Sequence, residues 1–330
     1  MEEPEANYSR AMQRMRWRKT AARQSITSTS SNGIMSPGAD LSRIRLISLM
    51  SLALLAFAGN SLLCRAALHH TAIDAASFTT IRLLSGALVL GILVRSTSRA
   101  RTGHGSWQAA LALFAYAACF SIAYTSLPAS AGALLLFGAV QVTMIGWGLL
   151  NGERLRPWQV AGLALAFSGL LGLLWPGLSA PPLQGTLLMI VSGIAWGIYS
   201  LLGKGAGAPL HVTAGNFARA ALPTLVFSVL CFGRMHVDKQ GAMLALASGA
   251  LTSGLGYAIW YAVLPQLKAS QAATAQLSVP VIAAFGAVPL LGEVLTLRLV
   301  LAALAVLGGI ALVIHPRSAV TPAGRPRDHR

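Results

Sequence analysis

The sequence predicts an all-α polytopic membrane protein: ten transmembrane helices arranged as two inverted five-helix repeats. Three observations lead there. Only 10% of the 330 residues are charged and 55% are hydrophobic, where a soluble domain carries about 25% charged residues; the mean hydropathy is +0.64. Apolar runs close to the ~20 residues that cross roughly 30 Å of hydrocarbon recur along the chain. Finally, the second half repeats the first: Tyr124, Leu127 and Pro128 lie over Tyr261, Leu264 and Pro265 at an offset of 137, as Arg82 lies over Arg219. Asn151-Gly152-Glu153 lies over Leu291-Gly292-Glu293 at 140, as do Gly169 over Gly309 and Pro176 over Pro316. Such duplication in an apolar chain points to a transporter whose substrate sits between related halves.

Residues 1–41 form a basic tail, with Arg14, Arg16, Trp17, Arg18, Lys19 and Arg23 followed by a Ser/Thr run. No apolar stretch follows early enough for a secretory signal. The tail reads as a disordered cytoplasmic segment, or as a basic segment lying on anionic lipid headgroups; translation from Met35 is a third reading. The first repeat is expected over 42–178, with spans at 46–64, 76–94, 107–125, 129–150 and 157–175. The second is expected over 179–316, with spans at 184–203, 213–232, 241–263, 270–291 and 296–314. Prolines 128, 157, 176, 181, 182, 209, 265 and 316 stand in or beside the short gaps, and 317–330 is a second cytoplasmic tail.

The net charge of +16 does not indicate nucleic acid, because the basic residues lie in the tails and in gaps between apolar runs. With the amino terminus in the cytoplasm, 19 Lys and Arg fall on the inner side and four on the outer side (Arg65, Arg234, Lys239 and Arg298). That bias places both termini in the cytoplasm. Five spans per repeat is odd, so the second copy crosses in the opposite sense. The Glu153 loop then faces inward and the Glu293 loop outward. Cys64, Cys119 and Cys231 each fall in an apolar run and suggest neither disulfides nor a metal site.

On these residues the chain resembles the drug/metabolite transporter superfamily, specifically the ten-helix EamA-type permeases. The marks are Gly152-Glu153 and Gly292-Glu293 ending the fourth and ninth spans, Pro280, Trp196-Gly197 with Lys204 downstream, and the paired Arg82 and Arg219. The first half departs at Val140, where the second has proline, and at Ala58-Gly59 in place of Trp-Gly. The resemblance covers about residues 42–316. It implies a secondary transporter of the cytoplasmic (inner) membrane that exports or exchanges a small organic solute, amino acid-like or similar, by alternating access, with a proton as the coupling ion to consider.

Arg82 and Arg219 are the charges placed inside spans, where an arginine costs about 2.5–3.5 kcal/mol on insertion scales. Either they snorkel to headgroups, or they face a cavity and attract a carboxylate or phosphate. Gln141 and Gln276 lie near mid-span; both they and Asn60 and Gln271 suit helix-to-helix hydrogen bonds, and the first two could line a pore. Trp196 with Tyr199, and Tyr257 with Trp260 and Tyr261, share helix faces and suit either packing or a cavity for planar solutes. The substrate-site candidates are therefore Arg82, Arg219, Gln141, Gln276, Trp196, Tyr199, Tyr257 and Tyr261. Glu153 and Glu293 stand at helix starts, where the dipole favours them. Gly193 and Gly197 allow close helix approach. His69 and His70, being adjacent, make a poor metal pair.

No cofactor, metal or catalytic residue is expected, since neither a phosphate-binding loop nor a catalytic dyad is present in the sequence. A membrane-embedded lipid-processing enzyme would need ionisable groups converging at one depth. A small multidrug-type cation exporter would need an acidic residue in its first span, and 46–64 has none.

Overall fold

The computed structural model describes residues 37–96, 104–150, 152, 156–175, 180–203, 208–267 and 275–314. Most of the basic tail, Glu153, Lys204, Lys268, Gln271 and the carboxyl-terminal tail lie outside the described residues. The chain divides into two compact units, Met1–Arg45 and Leu46–Arg330. Of the first, residues from Pro37 are described, as helix.

Helix α1 (Pro37–His70) runs further than the apolar run 46–64, because Arg65 does not end it. Helix α2 (Ala75–Ser96) starts on Asp74, whose Oδ1 accepts from the backbone of Ala76 at 2.8 Å and Ser77 at 3.0 Å. Helix α3 (Trp107–Tyr124) is capped by Ser106, and α4 spans Ala129–Leu150. Helices α5 (Pro157–Leu174) and α7 (Pro209–Leu230) both start with proline, whose missing N–H costs nothing there. Between them lies α6 (Leu183–Gly203). Helix α8 (Lys239–Val263) is capped by Asp238 and passes through a π-helical stretch at Ser248–Leu255. Helix α9 (Ser278–Leu291) ends on Gly292 at φ 65°, with Gly292 N bonded to Val288 O and Glu293 N to Ala287 O. Helix α10 is Leu297–Ile314. No strand occurs among the described residues.

Among the described residues, six helices are long and apolar enough to cross a membrane: those at Ile44–His70, Ala75–Ser96, Trp107–Tyr124, Ala129–Leu150, Leu183–Gly203 and Lys239–Val263. Helices α5, α9 and α10 are apolar but shorter. The polarity of this unit is inverted relative to a soluble protein. Leu88, Leu150, Phe285 and Leu304 are exposed, while Asn60, Arg82, Gln141, Asn216 and Ser253 are buried. An apolar exterior suits lipid, and interior polar groups then bond between helices.

The two halves of the sequence are interleaved. Helix α2 packs on α7, α3 on α6, α4 on α6 and α9, and α5 on α10. Helix α2 approaches α8 closely at Gly249. A Cβ on Gly249 would overlap the carbonyl oxygen of Arg82 and Oγ of Ser85.

Candidate functional site

Arg82 is fully buried and does not snorkel: it is 0% exposed. Helix α2 presents it to α3 on one side and to the π-helical part of α8 on the other. Its Nε donates to Ser253 Oγ at 3.0 Å. Its Nη2 donates to the hydroxyls of Tyr116 (3.0 Å) and Tyr257 (3.1 Å). The guanidinium carbon lies 5.1 Å from the Tyr116 ring centre and 5.0 Å from that of Phe120, within cation–π range. Nη1 is buried and has no hydrogen-bond partner. Among the described residues, no carboxylate contacts this guanidinium.

Asn60 on α1 ties the same centre together. Its Nδ2 donates to Tyr116 at 3.0 Å, and its Oδ1 accepts from Ser248 (2.7 Å), Thr252 (3.3 Å) and Ser253 (3.5 Å). The π-helical stretch makes this possible. In an α-helix Ser253 would point about 140° away from Ser248; with i→i+5 bonding the two stack on one face. Aromatic rings close over the polar groups. Trp196 lies 4.6 Å from Tyr257 and 4.9 Å from Tyr116, and Phe57 stands edge-on to Trp196, Tyr257 and Trp260. Phe57, Asn60, Ser61, Tyr116, Phe120, Leu136, Phe137, Trp196 and Tyr257 surround a cavity with room for about one water molecule.

The structure therefore brings three of the sequence candidates, Arg82, Trp196 and Tyr257, into one cluster. Tyr199 adjoins it through Trp196 (5.4 Å), and Tyr261 lies 6.0 Å beyond Tyr199. Both of these tyrosines are buried with hydroxyls that lack partners, as does Oε1 of Gln276. Gln141 is buried on α4 beside an apolar groove lined by α5 and α10. Arg219 does not join Arg82. It is partly exposed, and its Nη1 donates to the carbonyls of His104 and Gly215.

Two expectations are corrected. Arg65 was placed in an outer gap, yet it sits inside α1 with its side chain 10% exposed. Its Nη1 donates to Tyr124 O at 2.9 Å and Thr125 O at 3.3 Å, and its Nε lies 3.6 Å from Glu293 Oε1. Glu293 does serve a helix start, but that of α4 rather than its own following helix. Its carboxylate accepts from Ala129 N at 2.6 Å and from Ser130 N and Oγ at 3.4 and 3.3 Å. The cation thus sits at the carboxyl end of α3 and the anion at the amino end of α4, as both dipoles favour.

Tyr116, Ser253, Phe57 and Phe120 were missed as site residues. A signal existed for three of them. The offset of 137 that relates Arg82 to Arg219 also carries Tyr116 onto Ser253 and Phe120 onto Tyr257, and all four contact Arg82.

Residues 183–315 match the EamA-like transporter family. A Pseudomonas aeruginosa protein described as uncharacterized is 58% identical over 83% of this chain and 96% of its own length. The uncharacterized transporter YoaV of Bacillus subtilis is 30% identical over 51% of this chain and 60% of its own. A Salmonella typhimurium protein described as a probable amino-acid metabolite efflux pump is 27% identical over 56% of this chain and 67% of its own. Among solved structures, one crystal structure superposes with a TM-score of 0.59 at 20% identity, covering 81% of this chain and 98% of that one; this likeness concerns the fold alone. With its interior polar centre, its apolar exterior and these relatives, the chain belongs to the EamA-like transporter family of the drug/metabolite transporter superfamily.

Proposed function

We propose that this chain is a secondary transporter that exports a small organic metabolite across the cytoplasmic membrane by alternating access. In this reading it has ten spans in two inverted five-helix repeats, 42–178 and 179–316, with both termini in the cytoplasm. The observation that carries it is the buried polar centre around Arg82. Helices α1, α2 and α3 of the first half and α6 and α8 of the second all contribute to it. A site built from both halves can be exposed to either side as one half rocks against the other. Arg82, Trp196 and Tyr257 form the substrate site, and Tyr199 and Tyr261 continue it along α6 and α8. Arg219, Gln141 and Gln276 stand further along the path. The description of the Salmonella relative supports an amino acid-like solute and an outward direction.

The test is transport by the purified full-length chain in liposomes. Radiolabelled amino acids and short organic acids should exchange across the bilayer without ATP, and an imposed proton gradient should drive net movement if protons couple. An absolute requirement for nucleotide hydrolysis by this chain would refute the secondary-transporter reading.

A further inference from the structure

We propose that the Arg82 centre binds the carboxylate of a small monocarboxylate solute through the hydroxyls of Tyr116 and Tyr257, with Arg82 behind them supplying the charge. This deepens the transporter reading and rests on it for its physiological sense.

The argument begins with donors and acceptors. Arg82 Nη2 gives a proton to each phenol oxygen, and Asn60 Nδ2 gives another to Tyr116. The two phenol oxygens are 3.1 Å apart, so one phenol proton lies between them. Tyr257 provides it, and the proton of Tyr116 has no acceptor among the described residues. Nη1 of Arg82 adds two more unmatched N–H groups. The nearby Asn60 Oδ1 is already engaged by Ser248 at 2.7 Å and Ser253 at 3.5 Å, while the Thr252 proton goes mainly to Ser248 O at 2.8 Å. The centre therefore holds more donors than acceptors around one buried positive charge. A buried polar group without a partner is costly, and a buried charge without one is more so. What would complete the centre is an acceptor that carries negative charge.

The geometry narrows the ligand. Tyr116 and Tyr257 border the cavity and Arg82 does not, so the anion meets the phenol hydroxyls first. One guanidinium neutralises one negative charge. A dianion such as phosphate would leave an excess charge in the same apolar surroundings, and a cation would be repelled. Asn60 and Ser61, the latter with an unpartnered Oγ, add two more polar groups to the wall, and the rest, Phe57, Phe120, Leu136, Phe137 and Trp196, suits an apolar or aromatic body. Room for about one water means that this body is admitted only when the helices part.

Benzoate, benzyl alcohol and inorganic phosphate discriminate these chemistries. With the full-length protein in detergent, benzoate should raise the thermal unfolding midpoint saturably, and the other two should not at equal concentration. Arg82→Gln should weaken benzoate binding about tenfold or more, the loss expected for a hydrogen-bonded charge. Tyr257→Phe keeps the guanidinium and removes one hydroxyl, so it should weaken benzoate several-fold even if Arg82→Gln fails to fold. An equal response to benzyl alcohol would mean an apolar pocket without anion recognition. A stronger response to phosphate would overturn the monoanion assignment. No response to benzoate, or a benzoate response unchanged in Tyr257→Phe, would remove the carboxylate from this centre. Exchange of an uncharged solute in liposomes alongside such a result would sink this inference and leave the transporter reading standing; benzoate binding without any transport would do the reverse.

Discussion

Glu293→Ala should be among the most destabilising single changes outside the polar centre. The carboxylate accepts from Ala129 N at 2.6 Å, reaches both polar groups of Ser130, and pairs with Arg65. Loss of a helix cap costs about 0.5–2 kcal/mol. Removing one partner of a buried ion pair costs about 3–5 kcal/mol. The two terms overlap, the pair is long at 3.6 Å, and Arg65 retains the carbonyls of Tyr124 and Thr125. The side chains are only 10% and 11% exposed, so solvent relieves little. A loss of about 3 kcal/mol is therefore expected for Glu293→Ala. Glu293→Gln keeps an oxygen for Ala129 N and loses only charge, so about 1–2 kcal/mol is expected. Unfolding in mixed micelles of increasing SDS content measures both. The double replacement with Arg65→Gln should cost less than the sum of the singles, since each side chain is half of one pair. A Glu293→Ala protein within about 0.5 kcal/mol of wild type would refute the strut.

Three further outcomes follow from the same structure. Gly249→Ala should destabilise the protein and weaken substrate transport, because the added Cβ meets the Arg82 carbonyl and forces α8 away from α2; a variant with wild-type unfolding and transport would contradict that contact. Burial opposes ionisation of Asp74, but hydrogen bonds from Ser77 Oγ and from the backbone of His236, Ser77 and Ala76 outweigh it and hold its carboxyl below the usual range. Its contribution should be complete above the ordinary carboxylate value of about 3.9 and lost as pH falls through the lower folded value, so Asp74→Asn should lower stability at pH 7 and differ less from wild type in strong acid. In a cysteine-free background, an impermeant thiol reagent applied to intact cells should label Val294→Cys and spare Glu153→Cys; equal labelling of both would sink the inverted topology.

Helix positions were legible because apolar runs and proline punctuation are local properties. The expected spans 129–150 and 184–203 lie on α4 (Ala129–Leu150) and α6 (Leu183–Gly203) within a residue. The first run failed at Arg65 for an equally physical reason. A hydropathy reading ends a span at a charge, and only tertiary structure shows that the carbonyls of α3 and the carboxylate of Glu293 receive it. Arg82 was legible as a charge inside an apolar run, and Trp196 and Tyr257 as aromatics that share helix faces with other aromatics. Tyr116 and Ser253 were legible only through the repeat offset that relates them to each other, because a lone tyrosine or serine in an apolar helix is unremarkable until its partner is known. The π-helical turn that aligns Ser253 with Ser248 leaves no periodicity in the sequence to find.

Three arginines within helices of one protein show what separates a strut from a site. Arg65 has an acid and two carbonyls, so its charge and its donors are matched. Arg219 is partly exposed and tied to two carbonyls, where solvent and backbone dipoles share the charge. Arg82 is the most buried of the three, yet it is held by neutral hydroxyls and aromatic faces alone, with Nη1 unpartnered. Hydroxyls and ring faces fix the direction of a guanidinium without neutralising it. An arginine whose role were only to join helices would gain more from a carboxylate or a carbonyl, as the other two do. On the proposal that Arg82 serves a carboxylate solute, an acid fixed beside it would compete with that solute. The unmatched charge is costly in an apolar interior. That cost is offset by rigid placement, with α1, α2, α3 and α8 each bonded into the centre and Gly249 bringing the α8 backbone against that of Arg82.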